Sequence, residues 1–158
     1  MDLKRFAVRI RQLGKNVETN TTALVRKVAL SVDSTVVMST PVDTGRARSN
    51  WQVEIGKPAR GVVDVHVPGA EGSTAGPNAQ IALALGAAAI STYRGGETIH
   101  LTNNLPYIGA LNNGHSAQAP AGFVQTAILD GALQIKDAKL LVTSSSKGVL
   151  GGNLGRIG

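Results

Sequence analysis

The stretch Thr40-Pro41-Val42-Asp43-Thr44-Gly45-Arg46-Ala47-Arg48-Ser49-Asn50-Trp51 separates a segment with helical spacing of apolar residues from one with strand spacing. Pro41 disfavours helical geometry at the residue before it and supplies no N–H. The Asp43 side chain can bond backbone N–H groups two residues on, and Gly45 permits a positive φ angle. We therefore predict that a helix ends here and a tight turn follows. The structural corner consists of Pro41, Asp43, Thr44, Gly45 and Trp51.

Two helices are predicted before the corner. Residues 2–13 combine apolar and basic residues at partly helical spacing, and Gly14 suits the position just after a helix end. From about residue 18 to Met38, apolar residues recur at i, i+3 and i+4. The pattern predicts a short amphipathic helix followed by the main helix of the fold.

Alternating apolar and polar residues follow the corner. Residues 51–55 and 63–67 both alternate, and the short segment 57–60 between them contains a proline. This arrangement is typical of an antiparallel hairpin, with Trp51 facing the core. The Gly- and Pro-rich segment 68–78 is predicted to be a loop.

A helix from Ala79 to about Thr92, capped by Asn78, is apolar on nearly every face. Such a helix requires burial all round, either as the central helix of the core or at a contact between subunits. Both interpretations stay open from the sequence. A third strand is predicted at residues 98–102.

The last third of the sequence predicts two further helical segments. Pro106 suits a first helical position and Asn113-Gly114 suits a helix stop, so residues 107–112 should form a short turn of helix. A longer helix is expected to open at Ala119-Pro120. The predicted fold is α/β of the α+β kind, with a long N-terminal and a C-terminal helix packed on a small antiparallel sheet. We expect one domain at 1–140 and a flexible Gly- and Ser-rich tail at 141–158.

Composition narrows the classes of function. The 158 residues carry 16 Lys+Arg and 10 Asp+Glu, a formal charge of +6, and contain no cysteine. Disulfides, thiolate zinc sites and cysteine catalysis are therefore excluded. Neither a signal peptide nor a membrane-spanning segment is expected. The basic excess suits a polyanion or an acidic protein surface, although a solvated helix face explains it as well.

Two segments resemble a known family. The run Pro41-Val42-Asp43-Thr44-Gly45 with basic residues and a tryptophan after it, and the later run 101–122, are similar to the two recurrent motifs of the tail-completion (neck) proteins of long-tailed bacteriophages. The likeness covers roughly residues 3–140. It implies a structural subunit of a virion neck ring, with six copies around a DNA channel. The implied partners are copies of itself, head-connector or stopper proteins, tail-terminator or tail-tube proteins, and passing genomic DNA. The implied location is the virion, and the host cytoplasm during assembly.

The chemistry in the sequence favours binding over catalysis. The three histidines are far apart without a carboxylate at ligand spacing, and no phosphate loop, nucleophile elbow or carboxylate pair is present. We therefore expect that the protein is not an enzyme and that it has no catalytic residue, no metal site and no cofactor. Arginine forks and irregular polar loops are typical of protein contacts. The predicted interface residues are Asp43, Arg46, Arg48, Asn112, Asn113, His115, Ser116 and Gln118. The alternative function is a small basic nucleic-acid-binding module.

Overall fold

The computed structural model of the chain describes residues 3–136 and 138. In chain order, its elements are α1 (Leu3–Ser39), α2 (Arg46–Ser49), β1 (Gln52–Ile55), α3 (Ala75–Ser91), β2 (Ile99–Thr102), α4 (Ile108–Asn112) and α5 (Phe123–Leu133). Helices with one small antiparallel sheet confirm the predicted α+β class. The predicted tail, 141–158, lies outside the described residues. Within the described part, no helix is long and apolar enough to cross a membrane.

Helix α1 runs without interruption through Gly14, so the predicted helix stop at this residue is wrong. A glycine at the C′ position needs a left-handed backbone, and Gly14 is not among the glycines with positive φ. Glycine inside a helix costs only about 1 kcal/mol relative to alanine. A cost of this size is compatible with a helix that continues through Gly14.

The sheet pairs β1 with β2 in antiparallel register, from Gln52 opposite Thr102 to Ile55 opposite Ile99. The predicted hairpin between 51–55 and 63–67 is wrong, because the second of these segments forms no strand. The partner of β1 is instead the third predicted strand, which follows α3 in the chain. Strand pairing thus joins segments more than forty residues apart.

Side-chain amides hold the segment that was expected to be a strand. The Asn50 side chain accepts from the Val63 N–H at 2.8 Å and donates to the Val63 carbonyl at 3.0 Å. The Asn78 side chain does the same at Val67, with both distances 2.9 Å. An amide side chain offers the same donor and acceptor as a peptide group. The Asn50 and Asn78 side chains therefore bond the backbone of Val63 and Val67 in the way a neighbouring β-strand would, although no second strand is present there.

Helix α3 begins four residues earlier than predicted, with Thr74 as its N-cap residue. Asn78 is thus not the cap: it lies one turn inside the helix, where its backbone N–H donates to the Thr74 carbonyl at 3.1 Å. Pro77 is compatible with this start because the first helical turn needs no N–H from it. The Asn78 side chain is fully buried and is used for the contacts described above.

The chain divides into two units, one of Met1–Thr21 with Lys139–Gly158 and the other of Thr22–Ala138. In the first unit the structure describes the start of α1. The second unit contains the core, where α3 packs against β1 and α2. The predicted single domain at 1–140 stays a prediction. The buried core residues come from α1, α3, α5 and the segment before α5: Val36, Val37, Ala79, Ala82, Ala119, Phe123 and Ala127.

Helix α3 buries one face only. Ala82, Gly86 and Ile90 are buried, whereas Leu85 on another face is 57% exposed. The prediction that α3 is a core helix is therefore confirmed for the face that carries Ala82, Gly86 and Ile90. Burial of the opposite face against another subunit stays a prediction.

Candidate functional site

The corner and the second motif meet at a surface cavity of about 300 Å³. One wall is the continuous run 41–47 from the first motif. The other wall comes from the second motif, about seventy residues further along the chain. Its lining residues are Tyr107, Leu111, His115, Ser116 and Gln118. We call this cavity the motif pocket.

The wall from the first motif depends on the left-handed backbone of Gly45. Its φ angle is 85°, and a Cβ atom at this position would collide with the Asn78 side chain. Gly45 is therefore required both by conformation and by space. Helix α2 starts at the next residue, which leaves Arg46 exposed at the pocket.

The wall from the second motif is fixed to the first by a direct hydrogen bond. The Val42 N–H donates to Gln118 Oε1 at 2.9 Å. At the other end of this loop, the His115 N–H donates to the Ala110 carbonyl at 3.2 Å, and His115 Nδ1 lies 2.9 Å from the same oxygen. When Nδ1 carries the ring proton it donates to that carbonyl, and Nε2 is left as an acceptor.

Asp43 joins the pocket to a third segment. Its carbonyl accepts from the Gly72 N–H at 2.9 Å, and its Oδ1 accepts from the Glu71 N–H at 3.1 Å. Glu71 has a φ angle of 55° and is the one non-glycine residue with positive φ in the described part of the chain. The Asp43 side chain itself is exposed. It therefore both stabilises a turn and presents a carboxylate at the surface.

Arg48 differs from the expectation of a contact between subunits. It is only 9% exposed, and its guanidinium donates to the carbonyls of Met38, Thr40 and Ala75 at 2.9, 2.8 and 3.1 Å. Burial lowers the pKa of this guanidinium from its ordinary value. Arginine at the end of a helix satisfies carbonyls that have no partner within the helix. Arg48 thus links the end of α1 to the start of α3, inside the chain.

Two other predicted interface residues lie outside the motif pocket. Asn112 is half-buried: its Oδ1 accepts from the Val124 N–H at 2.9 Å, and its carbonyl accepts from the Gly122 N–H at 2.7 Å. Asn113 is exposed at the end of α4. Asn112 therefore joins α4 to the start of α5, and only Asn113 is fully available to another molecule.

The remaining corner residues differ in burial. Pro41 is buried, and Thr44 is exposed. Trp51 is half-buried against the core, and its Nε1 donates to Thr40 Oγ1 at 2.7 Å. The same hydroxyl donates to the Val36 carbonyl at 2.6 Å, at the end of α1. Trp51 thus contributes apolar contact with the core and a hydrogen bond from its ring N–H.

A buried polar network behind the pocket was missed by sequence reasoning. Ser49 Oγ donates to Asn78 Oδ1 at 2.8 Å and accepts from the His66 N–H at 3.2 Å. Asn78 and Asn50 are fully buried. The signal in the sequence is the pair Ser49-Asn50 directly before Trp51 and the strand β1 that follows it. It shows that polar residues occur there, but not which backbone groups they pair with.

The motif pocket presents polar groups that can bind another molecule. Its exposed polar side chains include a carboxylate, a guanidinium, an imidazole and an amide. Among residues 3–136 and 138, no three metal-ligating side chains of His, Asp or Glu come together. Such a set suits ion pairs and hydrogen bonds with another protein surface.

The chain matches no protein-family model, and neither the curated proteins nor the solved structures include one similar to it at a significant level.

Proposed function

We propose that the chain is a structural subunit of a bacteriophage neck. In this proposal six copies form a ring that completes the tail and joins it to the head connector. The observation that carries this proposal is the convergence of the two motifs at the motif pocket. Segments that resemble the recurrent parts of neck proteins are distant in the chain, yet they build one surface feature. In this proposal the pocket is a contact between ring neighbours or with the tail.

The chemistry of the pocket supports a protein partner. Asp43 and Arg46 are exposed at its rim and have opposite charges, while His115 and Gln118 offer hydrogen bonds. A surface with both charges suits a protein partner with complementary charges better than it suits a polyanion. The proposed partners are therefore other copies of the chain, the head-connector or stopper protein, and the tail-terminator or tail-tube protein.

Charge reversal at Arg46 tests this proposal in a phage that carries the gene. The variant Arg46→Glu keeps the fold, because the side chain is exposed, but removes a cation from every copy of the contact. We expect separate heads and tails to accumulate in electron micrographs of infected cells. The matched control is Arg60→Glu, another exposed arginine that does not line the pocket.

Two other outcomes of the same experiment argue against the proposal. Normal particles that eject DNA at an altered rate indicate that Arg46 faces a channel and contacts passing DNA. Normal particles with normal ejection, together with absence of the protein from purified virions, reject the neck function itself. Arg48 is unsuitable for this test because its replacement breaks three hydrogen bonds from a buried guanidinium to backbone carbonyls within the chain.

The alternative, a nucleic-acid-binding module, has one observation in its favour. Five basic residues on the first part of α1 are exposed: Lys4, Arg5, Arg9, Arg11 and Lys15. Filter binding to duplex DNA over a series of salt concentrations tests it, since phosphate contacts give a steep log–log dependence of affinity on salt. A steep slope that is lost when these residues are neutralised would favour this alternative.

A further inference from the structure

The first part of α1 carries an uncovered apolar stripe. Leu3, Phe6, Ile10 and Leu13 follow the 3-4-3 spacing of a helix seam and are 83%, 53%, 53% and 42% exposed. At about 100° per residue they share one face, and the basic residues of this segment lie on the other faces. We call these four residues the N-terminal stripe. Large apolar side chains in such an arrangement are typical of a surface that another molecule covers.

The unit Thr22–Ala138 contains an open apolar groove of about 530 Å³. Residues of α1 between Leu24 and Val32 form one wall, and Ile99 and Leu101 of β2 lie on the other. Most of the remaining lining of the groove comes from Tyr93, Thr98 and Ile135. Among the described residues that line this groove, Glu97 alone is charged.

The stripe and the groove fit each other in length and in chemistry. From Leu3 to Leu13 the stripe spans roughly 15 Å, and from Leu24 to Val32 the helical wall of the groove spans roughly 12 Å, at about 1.5 Å per residue. The groove is apolar with one acidic residue, and the stripe is apolar with basic residues beside it. An amphipathic helix that lays its apolar face into such a groove is a common mode of recognition.

Charge argues against pairing of the stripe with itself. Residues 3–17 contain five basic and no acidic residues. Two such helices brought together would repel each other. Residues 22–138, in contrast, contain eight basic and eight acidic residues, so this part of a second copy offers a surface without net repulsion.

We propose that the N-terminal stripe of one copy occupies the apolar groove of a second copy. This contact joins two different surfaces, so it is heterologous, and repetition of it produces a closed ring or an open filament. The inference rests on the self-association proposed above but not on location in a virion. It adds a contact between copies at the stripe and the groove to the contact proposed above for the motif pocket.

Mixing two variants tests this contact by sedimentation velocity on the full chain. The double variant Phe6→Glu with Ile10→Glu loses the stripe and keeps the groove, whereas Val25→Glu loses the groove and keeps the stripe. We expect the wild type to associate, each variant alone to be monomeric, and an equimolar mixture to form a one-to-one heterodimer through the single intact pair of surfaces.

The matched control is Val8→Glu, which adds the same charge to the same helix. Val8 is 60% exposed and lies on the face opposite the stripe. This variant should associate like the wild type. Circular dichroism of every variant shows whether the helices are retained, and Val25→Gln is a milder groove variant if Val25→Glu unfolds.

Each contrary outcome overturns the inference in a recognisable way. A wild type that is monomeric at every soluble concentration shows that the contact does not form. A Val25→Glu variant that still associates, beside a stripe variant that does not, indicates that the stripe pairs with itself. Stripe and groove variants that both associate normally leave self-association intact but place it elsewhere. Binding of the stripe to anionic vesicles in place of a second copy, with monomeric protein in solution, indicates a membrane surface as its partner.

Discussion

The interior of the corner and the start of α1 are opposites in composition and burial. Behind the corner lies the buried polar network of Ser49, Asn50 and Asn78, whose side chains are at most 1% exposed and pair with backbone groups. The start of α1 exposes large apolar side chains. Polar groups inside a protein are tolerated when the chain itself supplies their partners. The difference teaches that the polar groups behind the corner find their hydrogen-bond partners within one chain, whereas the large apolar side chains of the N-terminal stripe stay exposed in the single chain.

The largest expected effect comes from removing the Asn78 amide from the polar network behind the corner. Asn78→Ala leaves the Val67 N–H and carbonyl and the Ser49 hydroxyl without their partner. We expect the free energy of unfolding to fall by about 3–5 kcal/mol, since each buried unpaired group costs about 1–3 kcal/mol. Urea denaturation measures this change. The control is Asn113→Ala, whose exposed side chain should contribute less than about 0.5 kcal/mol. Equal stability of the two variants would show that the network is not what holds segment 63–67.

The next effect concerns a buried polar group that, unlike the side chains behind the corner, has no hydrogen-bond partner among the described residues. Asp33 on α1 is 2% exposed, lies against Gly86 of α3, and forms no hydrogen bond with the described residues. Burial raises the pKa of its carboxyl to about 6. The folded state then holds a proton on Asp33 that the unfolded chain has already lost above about pH 4. Stability should therefore fall as the pH rises from about 4 to about 6, and stay lower above that range.

Asp33→Asn should remove this part of the pH dependence. The amide has nearly the same shape but no charge, so we expect a stabilisation of about 2–3 kcal/mol at pH 8 and little change at pH 4, because one pKa unit corresponds to about 1.36 kcal/mol. Chemical denaturation at the two pH values measures it. The exposed carboxylate of Asp64 provides the control variant, Asp64→Asn. A variant that is less stable than the wild type at pH 8 would mean that the Asp33 carboxylate has a favourable partner.

A smaller effect is expected at the turn that shapes the motif pocket. Gly45→Ala places a Cβ against the Asn78 side chain at a φ angle of 85°. We expect a loss of about 1–3 kcal/mol from the strained backbone and the displaced amide. The control is Gly96→Ala, which has a φ angle of 80° but open space around its Cβ position. Thermal melts of both variants separate the cost of conformation, which they share, from the cost of the collision. If both variants lower the melting temperature by the same amount, the Asn78 side chain can move aside and the collision costs nothing.

The smallest effect is expected in the first part of α1, the second of the two regions compared above. Gly14 lies in α1 with open space around its Cβ position. Gly14→Ala should stabilise the first part of the helix by about 1 kcal/mol without any clash in the single chain. Hydrogen exchange of the amides of residues 10–18 measures the local change. Slower exchange in the variant is expected. Unchanged exchange would indicate that this part of α1 is already held by contact with another molecule.

Local signals in the sequence determined much of the chain. The end of α1 before Pro41, the positive φ of Gly45, the short helix α4 and the stop at Gly114 follow from steric properties of single residues. The apolar alternation at 52–55 and 99–102 likewise predicts both strands of the sheet. These features depend on neighbours within a few positions in the chain, and propensities and periodicity report such neighbours directly.

The tertiary structure decided which segments meet. The alternation at 63–67 is as strand-like as that of β2, yet Asn50 and Asn78 satisfy its backbone with side chains, and β1 pairs with residues 99–102. Arg46 and Arg48 look alike in the sequence, but the turn exposes one and buries the other. The two motifs form one pocket only because the fold brings residues 41–47 beside the loop at 115–118. Such outcomes depend on contacts between distant segments, and residue type and spacing do not encode which buried donor finds which acceptor.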